Sequence, residues 1–239
     1  MDKLNIGHHI SQQFNAELED IRTRVMQMGG LVEQQLRDAV KSLIDMDGAL
    51  AEVVITNDYK VNALEVSIDE ECTQILARRQ PTASDLRLVI AVIKTITDLE
   101  RIGDEAERIG RMALRFSTEK GNTRMLMGIQ HLAEHVINML HDSLDAFARM
   151  DVESALRVAR SDAKADQEYE SILRNVMTYM MEDPRSIPLM VDIMWSARAL
   201  ERIGDRSQNI CEYILYLVKG KDVRHTSLDR VGKDARGKS

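Results

Sequence analysis

Leu99-Glu100-Arg101-Ile102-Gly103-Asp104 recurs in this chain as Leu200-Glu201-Arg202-Ile203-Gly204-Asp205. The echo continues to Ile109 and Ile210. A repeat at an offset of 101 residues restricts the fold more than any other feature, because a chain of two like halves must place both copies in the same local structure. Earlier in the chain the offset is 104: Val32, Leu36, Met46, Asp47, Ala51, Val54, Asp58 and Lys60 are matched by Val136, Leu140, Met150, Asp151, Ala155, Val158, Asp162 and Lys164. Three residues were therefore gained or lost near the second turn, and the repeat spans whole units.

Each unit reads as helical. Apolar residues make up 44% of the chain, aromatics only 4%, and there are only 3 prolines, a balance that suits long amphipathic helices with a core between them. Met46-Asp47-Gly48 and Met150-Asp151-Val152 are breaks in which Asp can cap the next helix. Thr82 with Asp85 has capping-box spacing after Pro81, and Pro184 and Pro188 bracket a further turn. These breaks predict six long helices over 11–46, 49–79, 83–116, 124–149, 152–182 and 187–219. A thirty-residue helix is ~45 Å long, and short turns between such helices make antiparallel neighbours. The predicted fold is all-α: two tandem antiparallel three-helix bundles, 1–117 and 124–219, divided at the loop-like Ser117–Thr123. The remaining 220–239 form a basic tail carrying Lys221, Arg224, Arg230, Lys233, Arg236 and Lys238, which reads as solvated and poorly ordered.

The net charge of −7 argues against a nucleic-acid partner. Cys72 and Cys211 fall in different halves, so no disulfide is expected and a reducing cytosol fits. The beginning of the chain shows no signal-peptide pattern, and the best apolar run, Leu88 to Ile93, is far short of the ~20 residues that span a bilayer. A cytoplasmic location is the expectation.

The chemistry lies in the repeated acids. Val89, Ile93, Ile96, Leu99, Ile102, Ala106 and Ile109 form an apolar stripe, and Glu100 and Asp104 fall on its flank. Arg101, Glu105 and Arg108 are predicted to point to water. Glu201 and Asp205 repeat the arrangement. Two carboxylates on adjacent turns beside a core repel each other and need a partner. A second acidic pair, Asp162 and Asp166, lies on the preceding helix, with Asp58 and Asn62 as its counterparts in the first half. Facing pairs of this kind can hold a cation between helices. Their oxygens suit Mg, Mn or Fe, with Zn a further candidate, and no organic cofactor is indicated. Gly103 and Gly204, inside helices where Gly costs ~1 kcal/mol, point to a close approach by a neighbouring helix or a ligand. The competing reading is a solvated acidic face neutralised by Arg101 and Arg202.

Other motifs carry less. His131-Leu132-Ala133-Glu134-His135 matches a zinc-peptidase spacing, but both histidines are predicted to face solvent away from Leu126, Ile129, Ala133 and Val136. Met177, Met180, Met181 and Tyr179 read as core rather than as an adaptable surface. A glycine-rich phosphate loop, a Gly-x-Ser-x-Gly elbow and a Glu-x-x-His di-metal pattern beside the repeated acids are all lacking, so an enzyme is not expected.

Taken with the doubled Glu-Arg-Ile-Gly-Asp, three segments make the chain similar to the PhoU family over its whole length. They are Arg78-Arg79-Gln80-Pro81-Thr82-Ala83-Ser84-Asp85-Leu86-Arg87, Met177-Thr178-Tyr179-Met180-Met181-Glu182-Asp183 and Asp205-Arg206-Ser207-Gln208-Asn209-Ile210-Cys211-Glu212. The resemblance implies two bundles related by a pseudo-two-fold, in a cytoplasmic negative regulator of the phosphate-starvation response that also modulates phosphate transport. It implies an adaptor between the ATPase subunit of a phosphate ABC transporter and the PAS domain of a sensor histidine kinase. A homodimer, membrane association only through partners, and metal held by Glu/Asp-x-x-x-Asp pairs are further implications. Carried onto this chain, the second bundle keeps Asp162, Asp166, Glu201 and Asp205, whereas the first keeps Asp58, Glu100 and Asp104 but has Asn62. The second bundle is therefore expected to bind metal more tightly, the alternative role for these acidic faces being to dock basic surfaces on partners. The alternatives are a carboxylate-rich metal-binding protein and a plain helical scaffold.

Overall fold

A computed structural model describes residues 12–117 and 126–220. Most of the predicted dividing loop, the basic tail beyond Gly220 and the first residues of the predicted first and fourth helices lie outside the described residues. The helices are α1 (Gln12–Asp45), α2 (Gly48–Asn57), α3 (Tyr59–Arg79), α4 (Ala83–Phe116), α5 (Leu126–Arg149), α6 (Val152–Glu182) and α7 (Ile187–Lys219). The predicted 49–79 helix is thus interrupted at Asp58, whose backbone stays helical at φ −57°, ψ −34°. There the bonding tightens by one residue, with Val61 N–H reaching Asp58 O at 2.9 Å. Because the path continues, α2 and α3 act as one rod, and the fold is six rods in two bundles.

The first inter-helix turn follows the same plan in both halves. Met46 and Met150 adopt left-handed backbone (φ 56° and 52°), which closes the preceding helix. Asp47 and Asp151 then donate their backbone N–H back to Ser42 O and Ala146 O, both at 2.9 Å. Their carboxylates cap the next helix, Asp47 accepting from Leu50 N–H and Asp151 from Glu153 and Ser154 N–H. The turn before α4 differs from its predicted capping box. The Thr82 hydroxyl donates to Asp85 Oδ2 at 2.9 Å instead of accepting from the backbone, because Asp85 is buried and takes the hydroxyl as its own partner.

One continuous core runs through both bundles, from Leu18, Ile21, Leu36, Leu99 and Ile109 to Val136, Leu140, Leu200 and Ile210. Cys72 and Cys211 are buried free thiols within it, and burial pushes the Cys72 thiol up to about 12. The bundles pack through α4 on α7 and α1 on α5. The long helices α4 and α7 are antiparallel. Arg87, near the start of α4, donates to Leu217 O near the end of α7 at 3.4 Å, and Arg115 near the end of α4 donates to Asp192 Oδ2 near the start of α7 at 3.1 Å.

Between these ends the interface is ionic. Arg206 donates to Asp98 Oδ1 at 3.3 Å, Tyr213 OH to Asp98 Oδ2 at 2.7 Å, and Arg202 to Glu105 Oε1 at 2.9 Å. Glu105 therefore does not face water as predicted. It is 8% exposed, because α7 covers that side of α4 and brings the guanidinium that a buried carboxylate requires. Arg101 does stand exposed, and Arg108 is only half-buried.

Candidate metal centre

The sixth and seventh helices of the chain pack side by side with a half-buried Asp162 and the exposed Asp166 and Asp205 along their shared edge. Asp162 and Asp166 occupy adjacent turns of α6, and Asp205 faces them from α7. One carboxylate oxygen from each lies within 4.8 Å of the other two. Among the described residues this is the one place where three acidic, histidine or cysteine ligand atoms gather so closely. Oxygens bound to one ion stand at most ~4–5 Å apart, twice a bond of ~2.0–2.6 Å, so the spacing fits a single divalent cation.

Gly204 makes the arrangement possible. A Cβ there would lie 3.2 Å from Asp162 Oδ1, and a Cβ at Gly103 would lie 3.3 Å from Asp58 Oδ1. The close approach inferred from the two glycines is thus made by a carboxylate of the neighbouring helix in each half.

The carboxylates are held at a cost. Burial, then Asp205, Asp166 and Glu201, push the Asp162 carboxyl up to about 7. Asp205 is raised by burial and by Asp166, against the partial relief of Arg198, Arg206 and Arg202. Glu201 is raised by burial and by Asp205. Glu201 does not join the close trio: one oxygen is paired with Arg198, while Oε2 is buried and unpartnered. Crowded carboxylates together with an orphaned carboxylate oxygen are the features that a bound cation resolves.

In the first copy the acids are satisfied differently. Asp58 accepts from Gln35 Nε2 at 2.9 Å and from Asn62 Nδ2 at 3.1 Å. The amides leave Gln35 Oε1 and Asn62 Oδ1 buried without partners. Glu100 is raised by burial, Asp104 and Glu65, and Asp104 by burial and Asp58. Sequence reasoning missed Gln35 and Glu65. The 104-residue offset contains the signal for the first, since Gln35 stands where the second half has Met139.

Two further expectations change. His131 is exposed, but His135 is half-buried and pairs with Glu168 across α5 and α6 at 3.1 Å, since α6 lies closer to that face than periodicity implied. Met180 and Tyr179 pack on the core, whereas Met177 and Met181 are exposed because they lie on the outer face of α6.

The fold and site define a class: tandem three-helix bundles, each with acids gathered on its last two rods. The PhoU domain pattern matches residues 25–113 and 129–214. The chain is 56% identical over 239 residues to the phosphate-specific transport system accessory protein PhoU of Escherichia coli (strain K12), covering 100% of this chain and 98% of that one. It is 51% identical over 234 residues to the corresponding homolog of Pseudomonas aeruginosa, covering 98% of this chain and 97% of that one. The crystal structure of PhoU from Pseudomonas aeruginosa superposes with a TM-score of 0.86 at 51% identity, over 87% of this chain and 100% of that one. That of the phosphate transport system regulatory protein PhoU from Streptococcus pneumoniae gives 0.81 at 30% identity, over 88% and 99%. The chain belongs to the PhoU family, whose members are transport accessory proteins and not enzymes.

Proposed function

We propose that this chain is a cytoplasmic negative regulator of a phosphate-starvation response and a modulator of phosphate uptake. It acts as an adaptor between the ATPase subunit of a phosphate ABC transporter and the PAS domain of a sensor histidine kinase. The observation that carries the reading is 56% identity, end to end, to an accessory protein of a phosphate-specific transport system. Among the described residues no helix is long and apolar enough to cross a membrane, which agrees with reaching the membrane only through partners. The working form is a homodimer in which each chain supplies two bundles, residues 1–117 and 124–219, and it has no nucleic-acid partner.

Asp162, Asp166 and Asp205 hold a divalent cation (Mg, Mn, Fe or Zn), with the unpartnered Glu201 Oε2 as a further candidate donor. Asp58, Asn62, Glu100 and Asp104 form a weaker counterpart. The cation supplies the positive charge that lets these carboxylates stay ionised together at the surface a partner meets.

Phosphatase secreted in phosphate-rich medium tests the reading in cells lacking the gene. High activity, silenced by the wild-type chain, supports the regulator; no derepression overturns it. A folded variant with Asp162, Asp166, Glu201 and Asp205 changed to Ala separates the roles. If it silences the enzyme normally, the acids do not carry the signal.

A further inference from the structure

The segment that supplies Glu201 and Asp205 also supplies Arg202 and Arg206, and these arginines do not turn back onto the acids. Arg202 donates to Glu105 and Arg206 to Asp98, both on α4 of the other bundle. Arg202 has a local alternative. Asp205 lies three residues on, a spacing at which opposite charges pair along a helix. Arg198 takes that option, pairing with Glu201 at the same spacing. Even from across the interface, Arg202 favours the ionised form of both Glu201 and Asp205, so it lies within electrostatic reach of the site. What draws it away is Glu105, buried, with Arg108 at 3.4 Å from its second oxygen.

The clasp is one-sided. At the repeat offset of 101, Glu105 corresponds to Arg206 and Asp98 to Ala199. No acid of the second bundle therefore stands in those places to hold Arg101, which lies 3.9 Å from Asp98 of its own helix.

We propose that Glu105 is a positioning residue for the cation site of the second bundle: by holding Arg202 across the interface it keeps that guanidinium off Asp205, and so couples cation binding to the docking of the two bundles. This rests on the cation reading above. When the bundles are docked, Arg202 does not compete with a cation for Asp162, Asp166 and Asp205. When the clasp opens, Arg202 pairs with Asp205 and competes. By linkage, a bound cation favours the docked arrangement to the same degree.

The test is calorimetric titration of the metal-free full chain with Mn²⁺, for wild type, Glu105→Gln, Arg202→Gln and the double variant, each checked for helicity. Glu105→Gln is expected to weaken binding by at least about five-fold, the lower end for coupled sites. Arg202→Gln alone binds at least as tightly as wild type, and the double variant regains wild-type affinity. A merely structural Glu105 would lower thermal stability without that rescue. Unchanged affinity in Glu105→Gln, or a loss that Arg202→Gln does not restore, overturns the inference alone. A wild-type chain that binds no Mn²⁺ overturns the cation reading and this inference with it. Should Glu105→Gln fail to fold, Glu105→Asp shortens the reach to Arg202, and unchanged affinity there overturns the inference.

Discussion

Asp162 Oδ1 rests against the backbone of α7 at Gly204, 3.2 Å from where a Cβ would stand. The same relationship joins Asp58 and Gly103 at 3.3 Å, so the glycine of the repeated motif is a seat for a carboxylate. Gly204→Ala gains ~1 kcal/mol of helix propensity but must displace Asp162. The expected result is a folded protein of near-wild-type stability in urea whose Mn²⁺ affinity falls roughly ten-fold, the lower end of the ~10–100-fold cost of disturbing groups that support metal ligands. Wild-type affinity in this variant would show that the seat is irrelevant to the site.

The raised Asp162 carboxyl makes stability and cation affinity respond oppositely to pH. Its folded value, about 7, lies above that of an unfolded aspartate, so the folded state holds the proton more tightly. The resulting stabilisation is fully present below pH ~4 and is lost as pH rises through about 7. Urea unfolding of metal-free wild type and Asp162→Asn should therefore diverge across this window, the variant becoming the more stable at pH 8. Mn²⁺ must displace the proton, so affinity should rise over the same window and level off above it. A pH-independent difference between the two proteins would contradict the assignment.

Asn62 separates the two copies. Its amide donates to Asp58, and Gln35 donates to the other oxygen, so the buried Asp58 is satisfied by protein alone. Asn62→Asp removes a hydrogen bond to a charged group and adds a repelling carboxylate, for a loss of about 1.5–3 kcal/mol in chelator. With Mn²⁺ present the variant should recover stability and bind more metal per chain than wild type, measured by elemental analysis after dialysis. Unchanged stoichiometry of binding would mean that Gln35, rather than Asn62, limits how the first copy holds a cation.

The paired turns offer a control remote from the acids. Asp151 caps two backbone N–H groups and Asp47 one. Each change to Ala is expected to cost about 0.5–2 kcal/mol, Asp151→Ala the more, with Mn²⁺ affinity untouched. Urea midpoints check the order.

Helix limits were legible because their causes are local. The predicted 83–116, 152–182 and 187–219 coincide with α4, α6 and α7, where Pro, Asp and Thr act within one turn of the boundary. The interruption at Asp58 was not legible. Nothing in Asn57-Asp58-Tyr59 breaks a helix by itself, and Asp58 there is bound up with Gln35 of another helix.

The repeat, taken alone, determined that the chain has two like halves, that each is helical, and that each carries acids at one-turn spacing beside a core, because periodicity and capping are written within a few residues. Only the tertiary structure decided which acids meet. It drew Asp162, Asp166 and Asp205 together, left Glu201 with Arg198, satisfied Asp58 with amides, and buried Glu105 against Arg202. A charged side chain on a helix has several partners within reach, and which one it takes depends on the helix that packs beside it, tens of residues away in the chain.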